Sequence, residues 1–431
     1  MVLSRRAFLK KVGLTTLVSF VGSKMATANM PAPSVLDPKN SQFFEKNTRL
    51  ITVGYDGDLF KGERSYDTKY KQSVLTEVDL KTGDIKQTLS PIPRGHHVLP
   101  MPKHDKLLVC PGWSNILALH DMDHGLIERF GAPKDHVFGG HGVVYDEKGL
   151  VFVSLSHVDQ KSQSGKIAIF DQKDFKLLDI IETKGSKAHD MTILPDRKTL
   201  VVGNYGVKNE EWEQGIARDH YSKEECSSLS FINAETLKVE SVSHFEDMKG
   251  LAHLGTGRDD EIVIVFERFM EYKDSHLSDE ERDNALKKIM KDQVWSLHNE
   301  EKTDDKGVSI PTKIRRFNPN TGESHDHFTN MIDQRRPQSI AYNSMTDSLL
   351  VCHVYPNTLI SVDKTGTSKV FPSKDFGIKE PIGACEIEGT PYIAISGMSR
   401  DITLIDTRDM TPALQVPCEL FRCSHMNNYT V

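Results

Sequence analysis

The sequence lacks the features of a membrane protein, a nucleic-acid-binding protein and a disulfide scaffold. The apolar run Val12–Val21 is too short and too polar to span a bilayer, which takes about 20 apolar residues. The net charge is −7 and basic clusters are absent, which argues against nucleic acid or an anionic membrane as a partner. Six cysteines permit disulfides, with Cys418 and Cys423 the closest pair in sequence, but do not make a disulfide scaffold.

The chain also lacks the short motifs of several enzyme classes. It has no Gly-x-Ser-x-Gly nucleophile elbow, no P-loop, no dinucleotide-binding glycine fingerprint and no Cys-x-x-Cys-His haem attachment site. Any chemistry must therefore come from residues that the fold brings together, and the sequence leaves open whether the protein is an enzyme.

Residues 1–28 are predicted to be a twin-arginine signal peptide. Ser4–Lys10 contains the paired arginines, Val12–Val21 is the apolar region, and Ala26–Ala28 resembles a cleavage site. We therefore expect the twin-arginine translocase as a partner during export, and a mature periplasmic protein without a transmembrane segment. A proline-containing linker at residues 29–48 precedes the folded domain, residues 49–431.

The folded part contains an internal repeat of about 45 residues, a spacing typical of β-propeller blades. Each copy has two apolar strands, the second ending in an Asp or Asn whose side chain caps a hairpin turn. Seven such turns occur, at Asp79, Asp121, Asp171, Asn233, Asn318, Asp363 and Asp406. The sequence thus predicts an all-β fold, a seven-bladed β-propeller.

The propeller is expected to be closed by a C-terminal strand. Residues 50–89 supply only three strands of the first blade, and Ser424–Val431 supplies the fourth from the far end of the chain. This arrangement ties the two ends together and removes exposed sheet edges.

Two segments interrupt the period, at about residues 205–227 and 267–309. In the second, Ser278 begins a capping box, and apolar residues three or four apart predict a helical insertion that extends to Trp295 or His298. Both segments follow the second strand of a blade, so they should project from one face of the propeller. A lid over the channel and a decoration or oligomer contact are both open interpretations.

Five blades share a histidine at the start of their first strand. These are His96, His141, His189, His253 and His425. Around His141, the Gly139-Gly140 pair is predicted to form a turn before the strand. Because the first strand of a blade is the innermost, the imidazoles should converge on the central channel. Neutral imidazole suits copper, iron and zinc, so the sequence predicts a site for one of these metals or for a small metal-bearing ligand.

Four more residues are candidates for a second shell around the metal or for the channel wall. His97 and Asp190 adjoin two of the expected ligands, and Gln338 and Cys385 stand in or beside the corresponding turns of the two blades without a histidine.

Other interpretations remain open. In WD-type propellers a Gly-His dipeptide is structural, because the imidazole bonds an Asp in a turn of the blade. A lactonase-like hydrolase would pair a channel histidine with a metal or a carboxylate, for which Asp190, Glu267 and Glu386 are candidates. A protein-interaction scaffold would need no chemistry in the channel.

Several motifs together resemble an uncharacterised bacterial family of twin-arginine-exported seven-bladed propeller proteins. They include Arg94-Gly95-His96, Gly139-Gly140-His141-Gly142, Ala188-His189-Asp190 and His425-Met426-Asn427-Asn428. The resemblance covers nearly all of the mature chain, and the long helical insertion departs from it. Members are often encoded beside exported iron-responsive proteins, which implies an exported metal-handling partner. With the histidines, this predicts a periplasmic propeller in metal acquisition or homeostasis.

Overall fold

The computed structural model describes most of the chain after residue 47. The described residues are 48–55, 73–112, 114–157, 164–206, 208–213, 216–220, 226–246, 250–257, 261–266, 270–271, 308–309, 313–328, 335–355, 357–363, 365–397, 401–417 and 422–430. Within them the backbone forms strands and two short 3-10 turns, Pro102–His104 and Ser373–Phe376. No helix in this part of the chain is long and apolar enough to cross a membrane.

The strands of the first three blades follow one another along the chain. Blade 1 begins with β1 (Thr48–Tyr55), β2 (Ser73–Asp79) and β3 (Ile85–Ser90). Blade 2 contains β4 (Gly95–Met101), β5 (Lys106–Pro111), β6 (Ile116–Asp121) and β7 (Leu126–Gly131). Blade 3 contains β8 (His136–Tyr145), β9 (Leu150–His157), β10 (Ser164–Asp171) and β11 (Leu177–Ser186).

Blades 4 and 5 each carry an extra two-stranded sheet between their second and third strands. Blade 4 runs through β12 (Ala188–Ile193), β13 (Thr199–Asn204), the hairpin β14 (Lys208–Glu213) and β15 (Ile216–His220), then β16 (Ser227–Asn233) and β17 (Lys238–Phe245). Blade 5 runs through β18 (Leu251–Thr256), β19 (Ile262–Phe266), the short pair β20 (Met270–Glu271) and β21 (Val308–Ser309), then β22 (Lys313–Phe317) and β23 (Ser324–Phe328). The helix predicted from Ser278 lies outside the described residues.

The last two blades and the final strand complete the ring. Blade 6 contains β24 (Arg335–Asn343), β25 (Ser348–Tyr355), β26 (Thr358–Val362) and β27 (Ser368–Pro372). Blade 7 contains β28 (Pro381–Glu386), β29 (Tyr392–Gly397), β30 (Asp401–Asp406) and β31 (Thr411–Pro417). The final strand, β32 (Arg422–Thr430), lies beside β1 in the sheet of blade 1.

Each of the seven four-stranded sheets is antiparallel, and the inner strands contact one another in a closed circle. The order around the circle is β4, β8, β12, β18, β24, β28 and β32, with β32 again in contact with β4. The predicted seven-bladed, all-β propeller is therefore confirmed. The inner strand is the first strand of the repeat, so residues near its start lie at the channel.

All seven predicted side-chain-capped turns are present, each between the third and fourth strands of a blade. The Oδ1 atom of Asp79 accepts hydrogen bonds from the backbone N–H groups of Lys81 and Thr82 at 2.9 and 3.1 Å. The other six turns repeat this bond at Asp121, Asp171, Asn233, Asn318, Asp363 and Asp406. A short carboxylate or amide at this position satisfies backbone donors that the hairpin leaves unpaired.

The core lies between neighbouring blades, because strands such as β5 are buried on both faces. Leu107 and Val109 of β5 pack towards blade 1, whereas Leu108 and Cys110 pack towards blade 3. This alternation follows from the two-residue period of a strand. Continuous apolar runs in the sequence thus mark strands sandwiched between two other blades.

The cysteines that the structure describes with their side chains contain no disulfide. Cys110, Cys352 and Cys385 are free thiols. Burial raises the pKa of the Cys110 and Cys352 thiols well above their ordinary range. Cys418 lies outside the described residues, so its pairing with Cys423 stays a prediction.

Candidate metal centre

Six histidines from five blades meet in the central channel. They are His96 and His97 of β4, His141 of β8, His189 of β12, His253 of β18 and His425 of β32. All five histidines expected from the sequence are therefore together, and the neighbouring His97 joins them. Only His96 and His97 retain an intermediate exposure, and the other four are buried.

His141 lies at the middle of the cluster and is only 2% exposed. Its ring centroid lies 4.7 to 5.1 Å from those of the other five histidines. Rings from blades that are not neighbours also meet, since the centroids of His253 and His425 are 4.4 Å apart. Imidazole rings therefore occupy the channel at this level.

A β-bulge at the same place in every inner strand directs these side chains. The pairing register of the inner strand shifts between Gly95 and His97, Phe138 and Gly142, Ala188 and Met191, Leu251 and His253, Pro337 and Ser339, Pro381 and Gly383, and Cys423 and Met426. A bulge leaves residues unpaired and re-aims their side chains. His96, His141, His189 and His425 lie within bulges, whereas His253 is the first paired residue after one. The histidines are thus not in strictly equivalent positions.

The glycines around His141 belong to the strand β8, so the predicted turn at Gly139-Gly140 is wrong. Each of these glycines sits where a side chain would collide with a neighbour. A Cβ on Gly139 would lie 2.5 Å from the carbonyl oxygen of Ala188, and one on Gly140 would lie 2.8 Å from Cδ2 of His96. Gly140 also has φ +110°, a conformation that residues with a side chain rarely adopt. The glycines let β8 bulge into the channel and approach its neighbours closely.

Substituting Gly140 should therefore disturb the cluster as well as the backbone. We expect Gly140→Ala to destabilise the protein by about 2–4 kcal/mol, from positive-φ strain and the contact with His96. Gly149→Ala is the matched control, because Gly149 has φ +65° with nothing within 4 Å of an added Cβ, and should cost only about 1 kcal/mol. Urea unfolding of both variants measures the difference, and equal losses would contradict the close contact at His96.

Asp190 orients two of the histidines from within the bulge of β12. Its Oδ1 lies 3.3 Å from Nδ1 of His141, and its Oδ2 lies 3.4 Å from Nδ1 of His253. The backbone N–H of Leu254 also donates to Oδ2 at 3.1 Å. An ionised carboxylate only accepts hydrogen bonds, so it favours the proton on Nδ1 of both rings and leaves each Nε2 with a lone pair.

His189 is held in the same tautomer by the backbone. Its Nδ1 lies 2.7 Å from the carbonyl oxygen of Gly139, which can only accept, so Nδ1 donates and Nε2 carries the lone pair. The ring also packs edge-on against Tyr205, with centroids 5.2 Å apart. In a metal-binding histidine, the ring nitrogen that does not bind the metal usually donates its proton to an oxygen acceptor.

Two groups of three histidines have ligand atoms within 4.8 Å of one another. One is His96, His141 and His425, and the other is His141, His189 and His253. The Nε2 atoms of His96 and His141 are 3.0 Å apart. Two tetrahedral ligands about 2.0 Å from zinc are separated by about 3.3 Å, so these nitrogens are close to the spacing that a shared ion requires.

Burial keeps most of the cluster neutral. Burial and the neighbouring imidazoles lower the pKa of His96, His141 and His425 well below the usual 6.5. Burial also lowers the pKa of His189 to about 3 and that of His97 to about 4. These rings are unprotonated at neutral pH, which is the form that binds metals.

Asp190 is the charged member of the group. Burial raises the pKa of its carboxyl, but the hydrogen bonds from His253 and from the Leu254 N–H outweigh burial, so the pKa lies below its usual value. The site therefore combines neutral nitrogen donors with one buried negative charge, a favourable setting for a cation.

The other sequence candidates lie in different surroundings. Gln338 is buried in the bulge of β24. Cys385 was expected at the channel, but it lies two residues beyond the bulge of β28 and packs in the core between blades 7 and 1, where burial raises its pKa to about 12. Glu386, at the far end of that strand, accepts hydrogen bonds from Ser344 at 2.7 Å. Glu267 lies outside the described residues.

Two contributions were missed from the sequence. The carbonyl of Gly139 fixes His189, and Asn427 of β32 bonds His97 with its side-chain amide. Both residues stand in the short motifs that contain the histidines, but nothing in those motifs indicates which ring each one contacts.

Part of the chain matches the model of a known family. Residues 91–278 match the model of a family described as "Protein of unknown function (DUF1513)". The resemblance to an uncharacterised propeller family is confirmed. The matched part of the chain includes five of the six clustered histidines and Asp190, so it contains His141 and its orienting carboxylate. No curated protein matches the chain.

Solved structures share the architecture of this chain at low sequence identity. Hydrazine synthase from Kuenenia stuttgartiensis superposes with a TM-score of 0.56 at 12% identity, covering 78% of this chain and 92% of that one. The WD40 repeats of RRP9 superpose with a TM-score of 0.50 at 9% identity, covering 76% of this chain and 83% of that one. At such identities the likeness concerns the fold alone.

Proposed function

We propose that the protein binds a transition metal ion, copper, iron or zinc, or a small ligand that carries one, in its histidine-filled channel. Its role would be metal acquisition or homeostasis in the periplasm, after export by the twin-arginine translocase and with an exported metal-handling protein as a partner. The twin-arginine motif at Ser4–Lys10 supports the location.

One observation carries the metal-binding proposal. His141, His189 and His253 each turn Nδ1 towards an oxygen acceptor, and the three form a group whose ligand atoms lie within 4.8 Å of one another. Acceptors behind Nδ1 leave the Nε2 lone pairs for an ion. Three neutral imidazoles gathered in one buried place, each with an oxygen acceptor at Nδ1, are the arrangement in which histidines bind a metal through Nε2.

The two groups of three histidines share His141. Because Asp190 engages Nδ1 of His141, only its Nε2 is available as a ligand, and one nitrogen serves one ion at a time. The described histidines should therefore hold one ion per chain. A second equivalent bound with similar affinity would contradict the shared role of His141.

Metal analysis of the exported protein, purified without chelators, tests the proposal. We expect near-stoichiometric copper, iron or zinc in the wild type. His141→Gln should reduce the content to background, because it removes the central ligand. Asp190→Asn should weaken binding about 10–100-fold, since it disturbs the orientation of two ligands.

His120→Gln is the matched control, because His120 is also fully buried but bonds Ser90 at 3.0 Å away from the channel. This variant should keep its metal. Metal-free wild type, or equal metal loss in the His120 and His141 variants, would contradict the proposal. If the channel histidines were structural only, His141→Gln would cost about 1–3 kcal/mol of stability without a change in metal content.

A further inference from the structure

The hydrogen bonds of His97 differ from those of the histidines that surround it. Its ring lies against the cluster, with centroids 5.1 Å from His141 and 6.3 Å from His425. It is the first paired residue after the bulge of β4, opposite Cys110 of β5.

Asn427 fixes the tautomer of His97. The Nδ2 atom of Asn427 lies 2.7 Å from the carbonyl oxygen of Val98 and 2.9 Å from Nε2 of His97. A carbonyl only accepts hydrogen bonds, so the atom between them is the amide nitrogen, and the amide cannot be turned over without losing the bond to Val98. Asn427 therefore donates to Nε2 of His97, and the proton of the neutral imidazole is on Nδ1.

This arrangement leaves a buried donor beside the cluster. Nδ1 of His97 has no hydrogen-bond partner among the residues that the structure describes. A buried N–H without an acceptor is costly and needs an explanation. Neither nitrogen of His97 is suited to bind a metal, since Nε2 accepts from Asn427 and Nδ1 carries a proton. His141, His189 and His253 have the opposite arrangement, with Nδ1 directed to an oxygen acceptor.

We propose that the metal centre also binds a small anion through oxygen, such as hydroxide or a carboxylate, and that His97 donates a hydrogen bond from Nδ1 to this anion. The inference rests on the proposed function. The group His141, His189 and His253 supplies three ligands, and the fourth position of a tetrahedral ion would then take an oxygen ligand, as in sites that bind substrate or water. A charged oxygen is a strong acceptor for an N–H donor, so the anion would satisfy the Nδ1–H of His97.

The tautomer can be tested without a metal. Nitrogen-15 NMR of the metal-free protein should show the proton of His97 on Nδ1. The signals of His97 are assigned as those that disappear in His97→Phe. Asn427→Asp should move it to Nε2, because a carboxylate there accepts instead of donating. A wild-type His97 with its proton on Nε2 would overturn the proposal.

The anion site can be tested on the cobalt(II)-loaded protein by titration with formate, followed in the visible spectrum. His97→Phe and Asn427→Asp should each weaken formate binding about 10-fold or more, with cobalt affinity within about 3-fold of the wild type. His120→Phe, outside the channel, should change neither.

Three results would contradict the inference, and they separate it from the proposed function. Unchanged formate affinity in both variants overturns the anion site alone. If His97→Phe loses cobalt as completely as His141→Gln, then His97 is a metal ligand. This result overturns the inference but agrees with the proposed metal-binding function. A wild-type protein that binds no cobalt, copper, iron or zinc overturns both.

Discussion

Removal of residues 424–431 is expected to unfold the protein under conditions in which the full chain is stable. These residues form most of β32, which pairs with β1 from Thr48↔Thr430 to Thr52↔Met426. Met426 is buried in the core towards blade 7, and Tyr429 in the core towards blade 2. Losing two such side chains costs about 2–5 kcal/mol each, a large part of the 5–15 kcal/mol that stabilises a typical domain.

Hydrogen bonds from side chains of β32 also join the last strand to the neighbouring blades. The side chain of Asn427 donates to the carbonyl of Val98 in blade 2, and that of Asn428 donates to the carbonyl of Glu386 in blade 7. The hydroxyl of Tyr429 donates to the buried carboxylate of Glu77, which also contacts His124 at 3.2 Å. The truncation would leave these buried groups without partners. It would also expose the inner edge of β1, and an unpaired strand edge promotes aggregation.

Circular dichroism and urea unfolding of the truncated chain measure the effect. Tyr429→Phe is the control, because it keeps the ring and removes only the bond to Glu77, so it should fold and lose about 1–3 kcal/mol. A truncated protein that melts at the temperature of the full chain would show that the last strand is dispensable.

The number of blades was predictable because its signal is local. An Asp or Asn that caps its own hairpin, as at Asp79 and Asn233, needs only residues two to four positions away, so the sequence alone specifies it. The apolar strands between these turns were equally clear, since they are buried on both faces. Counting the turns gave seven blades, and the structure has seven.

The positions of side chains at the channel were less predictable, because they depend on register. A shift of one residue moves a side chain to the other face of a strand, and a bulge makes such a shift without any fixed sequence signal. His253 lies just after its bulge and still reaches the cluster, whereas Cys385, two residues further along its own strand, faces the core. Because the position of the bulge has no fixed sequence signal, the glycines beside His141 were wrongly predicted to form a turn.

The partners of each imidazole could not be predicted at all. Asp190 bonds histidines of the blades before and after its own, and Asn427 bonds a residue 330 positions away. Such pairs are set only when the ring closes and the inner strands meet. The sequence therefore identified the candidate ligands, and the fold determined which nitrogen of His141, His189 and His253 is directed to an oxygen acceptor.

Acidification is expected to destabilise the metal-free protein strongly between pH 7 and pH 5. Burial lowers the pKa of His97 to about 4 and that of His189 to about 3, while the unfolded chain protonates histidine near 6.5. Below pH 6.5 the unfolded state thus binds more protons than the folded state, so stability falls as the pH falls. The lowered pKa values of His97 and His189 each reduce the free energy of unfolding by about 2 kcal/mol at pH 5. The lowered pKa values of His96, His141 and His425 act in the same direction.

Urea unfolding in a chelating buffer at pH 7, 6 and 5 measures this loss, which should reach about 4 kcal/mol or more at pH 5. The carboxylates of Asp190 and Glu77, whose pKa values are lowered, lose their contribution only at more acidic pH and do not affect this range. The double variant His97→Gln, His189→Gln is the control and should recover about 4 kcal/mol of the pH dependence, because glutamine does not titrate. A wild type equally stable at pH 7 and pH 5 would mean that these rings accept protons in the folded state, which is incompatible with a dry, neutral imidazole cluster.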